Sequence, residues 1–135
     1  KHPESLTLTG QEREMTILFS DIRGFTSFSE AMAPDALTRF LNEYMTPMTR
    51  HIMDSRGCVD KYIGDAIMAF WNAPLDDPAH AANACRAALQ MQRTLAELAP
   101  AWVAKGLPEV HIGVGINTGR TRLSRVRVVG DNGTT

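Results

Sequence analysis

The chain alternates between two hydrophobic periods, and the order of that alternation restricts its fold more than any other feature. Met15 to Ser20 is a short, mostly apolar run that fits a buried strand. Asp35 to Ser55 places Leu37, Phe40, Leu41, Tyr44, Met45, Met48 and Ile52 at three- and four-residue spacing, one apolar face of a helix. Pro47 interrupts that helix and Gly57 ends it. Cys58 to Tyr62 and Ala66 to Trp71 read as two strands around Gly64-Asp65, a hairpin signal, because glycine accepts the positive φ of a tight turn. Pro78 to about Ala99 forms a second helix with Ala81, Ala84, Ala88, Met91, Leu95 and Leu98 inward. Val110 to Asn117 alternates as a strand that Thr118-Gly119 ends or kinks.

The order strand, helix, strand, strand, helix, strand predicts an α+β fold: a ferredoxin-like βαββαβ sheet with helices packed on one face. Smaller features fill the gaps. Thr26 or Ser27 is the expected cap of a short helix reaching Met32, and Pro34 suits the first turn of the helix after it. Pro100 and Gly106-Leu107-Pro108 bracket a loop or a short helical extension. Val126 to Val129 reads as a further strand and Asp131-Asn132-Gly133 as a turn.

At 135 residues the chain is long enough for one core. Lys1 to Glu14 is polar, contains Pro3 and Gly10, and reads as a linker from an upstream region, with the domain proper over 15–135. The net charge of −1 gives no electrostatic case for a nucleic-acid partner. No apolar run approaches membrane-spanning length and no secretory signal is visible. Cys58 and Cys85 match no metal or redox spacing and are expected to be buried thiols of a reducing compartment. His2, His51, His80 and His111 are scattered, match no ligand spacing and are assigned no chemistry. Phe25, Phe28 and Trp71 are expected in the core.

Two aspartates stand out against this frame. Asp21 ends the first strand and Asp65 lies in the hairpin, and a lone Asp in either place usually caps a helix or closes a turn. In a βαββαβ sheet, however, both carboxylates reach the same edge. Close carboxylates repel unless a proton or a cation intervenes. Mg²⁺ takes one or two carboxylates plus phosphate oxygens, which fits this pair. Gly24, in the turn after Asp21, lets the backbone approach an anion at a helix start. Lys61, four residues before Asp65, is by default a solvated edge lysine.

Three blocks in order carry a family resemblance: Phe19-Ser20-Asp21-Ile22-Arg23-Gly24-Phe25-Thr26, then Gly57-Cys58-Val59-Asp60-Lys61-Tyr62-Ile63-Gly64-Asp65-Ala66-Ile67-Met68-Ala69-Phe70, then Gly113-Val114-Gly115-Ile116-Asn117-Thr118-Gly119. From about Glu12 to Gly119 the chain resembles the class III adenylate/guanylate cyclase catalytic domain. The resemblance implies cyclisation of a nucleoside triphosphate, with release of pyrophosphate, at the interfaces of a head-to-tail homodimer. It implies two Mg²⁺ or Mn²⁺ ions held by Asp21 and Asp65, with the Ile22 carbonyl completing one of them. It places Gly24, Phe25 and Thr26 on the phosphates and Lys61 on the base, where a lysine goes with adenine, so ATP is the implied substrate. A sensor or membrane segment upstream, a cytoplasmic location and a role in signal transduction are implied as well.

The C-terminal stretch departs from the family pattern. Val128-Val129-Gly130-Asp131-Asn132-Gly133-Thr134 resembles the family's next hairpin, but Arg120 to Arg127 before it is longer and more basic. The family's second base-selecting residue, its ribose-orienting Asn and its transition-state Arg have no counterpart in the sequence. The expectation is a domain truncated at its C-terminal part, with Arg120 to Arg127 displaced from the sheet and low turnover from this chain alone. The alternative is an impaired nucleotide-binding or dimerisation module that regulates a partner cyclase. A diguanylate cyclase shares the sheet order but needs Gly-Gly-Asp/Glu-Glu-Phe at the hairpin, which Ile63-Gly64-Asp65-Ala66-Ile67 does not provide.

Overall fold

The computed structural model describes residues 11–123. Its elements are β1 (Gln11–Ile22), α1 (Phe25–Glu30), α2 (Pro34–Asp54), β2 (Cys58–Ile63), β3 (Ala66–Trp71), α3 (His80–Ala104) and β4 (Ile112–Leu123). The strands form one antiparallel sheet in the order β2-β3-β1-β4. This is the expected βαββαβ arrangement with β1 and β3 in the middle. The expected strand Val126 to Val129 and the turn at Asp131 lie outside the described residues.

The period-two pattern of β1 divides the sheet into two faces. Thr16, Leu18, Ser20 and Ile22 are buried, and the first three lie opposite Trp71, Ala69 and Ile67 of β3. This face packs against Phe40, Tyr44, Met48 and Ile52, every fourth residue of α2, and Ala84, Ala87, Met91 and Leu95 of α3. The other face carries Ile17 opposite Phe70 and Phe19 opposite Met68. Both long helices lie on the first face, so Phe19 is 42% exposed.

Strand pairing moves several expected boundaries. β1 starts at Gln11 rather than Met15, because Gln11 to Glu14 pair with Leu123 to Arg120 of β4. Thr118 and Gly119 therefore sit inside β4, opposite Thr16 and Met15, and neither ends it. Arg120 to Leu123 continue the strand instead of being displaced; Ser124 to Arg127 lie outside the described residues.

α3 runs from His80 to Ala104 and contains Pro100. Pro100 removes the amide that would bond the Ala96 carbonyl, but both residues are exposed, so water can meet that carbonyl. Beyond it, Trp102 is 2% exposed, packs edge-on to Phe40 at 4.8 Å and donates from Nε1 to Glu43 at 2.8 Å. That anchor keeps the helix going past the proline. Ala81 is exposed, contrary to expectation, because it lies nearly a quarter-turn from the stripe that includes Ala84, Ala87 and Met91. Cys85, also on the outer side of α3, is exposed and Cys58 is half-buried, so the expectation of two buried thiols fails.

α1 has no side-chain cap. Gly24 at φ 65° is its N-cap, and Thr26 and Ser27 fall in its first turn. Phe28 fixes it, edge-on to Phe25 at 5.3 Å and to Phe40 at 5.8 Å. Two of the scattered histidines hold elements together: His80 shares hydrogen bonds with Thr16 at 2.6 Å and Glu14 at 3.2 Å, and His51 with Thr94 at 2.6 Å.

Candidate active site

The β2–β3 hairpin turns at Gly64, φ 60°, and this turn abuts the end of β1. There the Ile22 backbone N–H donates to Asp65 Oδ2 at 2.7 Å. The two aspartates are thus brought to one end of the sheet, Asp65 anchored to the residue that follows Asp21. Asp21 lies on the open face, in line with Ile17 and Phe19. Its carboxylate is 42% exposed and 3.9 Å from Arg23 Nη1. The Arg23 side chain crosses β4 over Gly113, where a Cβ would collide with the guanidinium.

Lys61 is exposed on β2, opposite Met68, which is itself opposite Phe19. Register therefore puts Lys61 on the same open face as Asp21. Gly24 needs its glycine for φ rather than for space, since a Cβ there would meet nothing within 4 Å. Its carbonyl accepts from the Phe28 N–H at 3.3 Å and starts α1, whose first residues are Phe25 and Thr26.

Under this end of the sheet lies a feature that the hydrophobic pattern did not single out. Tyr44, placed by its spacing in the apolar stripe of α2, is fully buried, and its hydroxyl has no hydrogen-bond partner. The buried Ser20 hydroxyl, on the residue before Asp21, has none either. The two hydroxyls are close enough for Ser20 to act on the Tyr44 phenol. Burial pushes the Tyr44 phenol far above its ordinary value; the nearby Ser20 hydroxyl opposes this in part, and the Asp65 and Asp21 carboxylates add smaller upward pushes. Burial also raises the Cys58 thiol.

The folded protein therefore holds the Tyr44 proton where the unfolded chain releases it. Stability is full below the ordinary tyrosine value of 10.0 and falls as pH rises above it. Cys58 adds a fall of the same sign that begins near its ordinary value of 9.0. Urea denaturation from pH 8 upward is expected to show the combined slope. Tyr44→Phe should remove only the part that starts near 10, and an unchanged slope in that variant would refute this account of Tyr44.

Among the described residues, no cluster of three or more His, Cys, Asp or Glu side chains could hold a metal ion. Zinc of the structural kind is therefore a poor fit there. Two carboxylates on an exposed edge, one with an oxygen fixed by a backbone N–H, instead suit a hard divalent cation that keeps waters and takes substrate oxygens. A cavity of about 600 Å³ lies elsewhere, between α3 and the segment before β4, lined by Ala96, Ala99, Val103 and His111 among others. It contains none of the candidate residues. Asp21 stands on the open face instead.

Comparison with known proteins decides the family. The model of the adenylate and guanylate cyclase catalytic domain matches residues 9–132. The chain belongs to this family. An adenylate cyclase of Anabaena cylindrica is 43% identical over 118 residues, covering 84% of this chain and 22% of that protein. Adenylate cyclase 1 of Rhizobium meliloti is 37% identical, covering 79% and 16%. The chain thus spans less than a quarter of these relatives. Among solved structures, the adenylyl cyclase CyaB from P. aeruginosa aligns with TM-score 0.79 and 36% identity, covering 84% of this chain and 59% of that one. The guanylyl cyclase Cya2 aligns with TM-score 0.78 and 37% identity, covering 83% and 57%. In these class III cyclase relatives the fold matches that of this domain. Among the described residues, no helix is long and apolar enough to cross a membrane.

Proposed function

We propose that this cyclase domain converts ATP to 3′,5′-cyclic AMP and pyrophosphate. The observation that carries the reading is the Asp65 carboxylate anchored on the Ile22 N–H beside Asp21, with Lys61 on the same face. In the reaction the ribose 3′-oxygen attacks the α-phosphorus, the bond to the β-phosphate breaks, and the 3′-hydroxyl proton is released. Asp21 and Asp65, with the Ile22 carbonyl, would hold two Mg²⁺ or Mn²⁺ ions. Such ions, when bound, lower the pKa of the attacking hydroxyl and offset phosphate charge. The backbone of Gly24, Phe25 and Thr26 would face the phosphates. The open setting of these residues supports a head-to-tail homodimer in which a second copy covers the face and completes the site. The length of the relatives supports further segments outside this chain, such as a sensor or membrane anchor, with the domain acting in cytoplasmic signalling.

Similarity alone does not choose the base, since an adenylyl and a guanylyl cyclase align almost equally well. Lys61 does. Its ammonium is a donor, adenine N1 is an acceptor, and guanine N1 carries a hydrogen. Cyclase assays with Mn²⁺ on a protein containing the whole domain are expected to favour ATP over GTP in kcat/KM. Lys61→Glu should lower the ATP value by about 10–100-fold, the worth of one hydrogen bond to a charged group. A protein that cyclises GTP better than ATP would refute the assignment. The sequence offers no counterpart of the ribose-orienting Asn or the transition-state Arg, so the 135-residue chain by itself should turn over at least 10²-fold more slowly than a protein that has them. A module that only binds nucleotide or a partner would give no product in either form.

A further inference from the structure

A regular strand turns successive side chains to opposite faces, so residues three apart cannot share one. β2 breaks that rule. Val59 lies opposite Ala69 and packs against the core, on the helix side of the sheet. Tyr62 lies opposite Ile67, and its hydroxyl shares a hydrogen bond of 2.9 Å with Thr49 of α2, so it is on the helix side too. The strand reconciles the two by carrying one residue more than its partner. Lys61 lies opposite Met68, the neighbour of Ala69, and Asp60 has no residue opposite. This is a β-bulge, and it turns Asp60 and Lys61, both exposed, side by side toward the open face. β2 ends the strand order, so the extra residue interrupts a single ladder.

We propose that the Asp60 bulge is a positioning element for Lys61: the added residue and the twist it imposes aim the ammonium at N1 of the adenine base. This rests on the reading of Lys61 as the base contact. The packing of β2 does not need the bulge. Without Asp60, Val59, Lys61 and Tyr62 would alternate regularly and keep the same faces and the same partners on β3. The core gains nothing from Asp60, which is exposed. What the extra residue changes is the direction in which Lys61 leaves the sheet, because a bulge disrupts the ladder, bends its strand and increases the local twist. Bulges gather at sheet edges and beside active sites, where they re-aim a side chain. A lysine has a long flexible stem, so a fixed starting direction limits where its ammonium can go. Here that direction is held from both sides, by Val59 in the core and by Tyr62 on Thr49.

The test is kcat/KM for ATP and for GTP, measured with Mn²⁺ on a protein containing the whole domain, alongside thermal melting. Lys61→Ala should lower the ATP value by about 10–100-fold. Deleting Asp60 should lower it by about tenfold and cut the preference for ATP, yet the domain should melt no lower than wild type, because the ladder is then unbroken. Asp60→Ala keeps the extra residue, so its loss should be much the smaller. The decisive variant combines the deletion with Lys61→Ala. It should be no worse than Lys61→Ala alone, because the bulge acts only through that side chain. A deletion that keeps the wild-type preference, or losses that multiply in the combined variant, would sink the proposal. So would an Asp60→Ala loss as large as that of the deletion, which would assign the effect to the carboxylate. If Lys61→Ala keeps the ATP preference, the base reading itself falls and the proposal with it. Should the deletion fold poorly, the exchange of Asp60→Lys with Lys61→Asp decides: it leaves both side chains on the open face but moves the ammonium by one residue, and a retained ATP preference would overturn the proposal.

Discussion

Asp65→Asn is expected to leave the domain folded and to reduce cyclic AMP formation by on the order of 10³. The amide keeps an oxygen that can accept the Ile22 N–H now bonded to Asp65 Oδ2 at 2.7 Å, so the hairpin stays tied to β1. What disappears is one negative charge of the pair. Without metal that loss relieves repulsion, and the melting temperature should stay the same or rise slightly. With millimolar Mn²⁺ the outcome reverses. Wild type should gain stability by mass action, because the folded state alone presents the site, and Asp65→Asn should gain much less. Asp65→Ala, which loses both the charge and the acceptor, should also melt lower. Turnover by Asp65→Asn within a few-fold of wild type would show that this carboxylate is a turn residue and nothing more.

That test is sharp because the aspartates were legible in the sequence for reasons independent of fold detail. Each ends or interrupts an apolar run, where a charge is out of place unless something uses it. The helix face of α2 was legible for a similar reason: seven apolar residues share one period, and the structure buries or half-buries all of them. Pairing between distant segments was not legible. Nothing local in Gln11 to Glu14 marks a strand, and they form one because β4 runs on to Leu123 and supplies partners. Pro100 looked like an end because its effect is local, whereas the burial of Trp102 that overrides it depends on Phe40 and Glu43 from α2. The cap of α1 was missed because Gly24 acts through its φ rather than through a side-chain oxygen. Tyr44 shows a deeper limit. Its spacing assigns it correctly to the core, but a one-dimensional pattern cannot show that the hydroxyl at its tip is sealed from water without a well-formed hydrogen bond.

Gly57→Ala is expected to destabilise the domain by about 2 kcal/mol, more than most single methyl additions. The reason is steric. A Cβ at residue 57 would stand 2.6 and 2.7 Å from Trp71 ring carbons and 2.8 Å from Ile52 Cγ2. Neither neighbour can yield easily, since both are fully buried and the Trp71 indole N–H is held by the Ser55 carbonyl at 2.9 Å. Gly57 also donates its N–H to the Ile52 carbonyl at 2.9 Å, which locks the exit from α2 into β2. Moving the backbone to relieve the clash would therefore shift the start of β2, the strand that presents Lys61. Melting should fall by roughly 6–10 °C for a domain of this size. Trp71→Phe supplies the control. It is destabilising alone, but it removes the ring atoms that collide, so the double variant should be more stable than the sum of the two single effects. Simple additivity would mean that the backbone and not the ring absorbs the methyl group. An unchanged melting temperature in Gly57→Ala would mean that the α2–β2 junction is looser than its hydrogen bonds indicate, and that the placement of Lys61 does not depend on it.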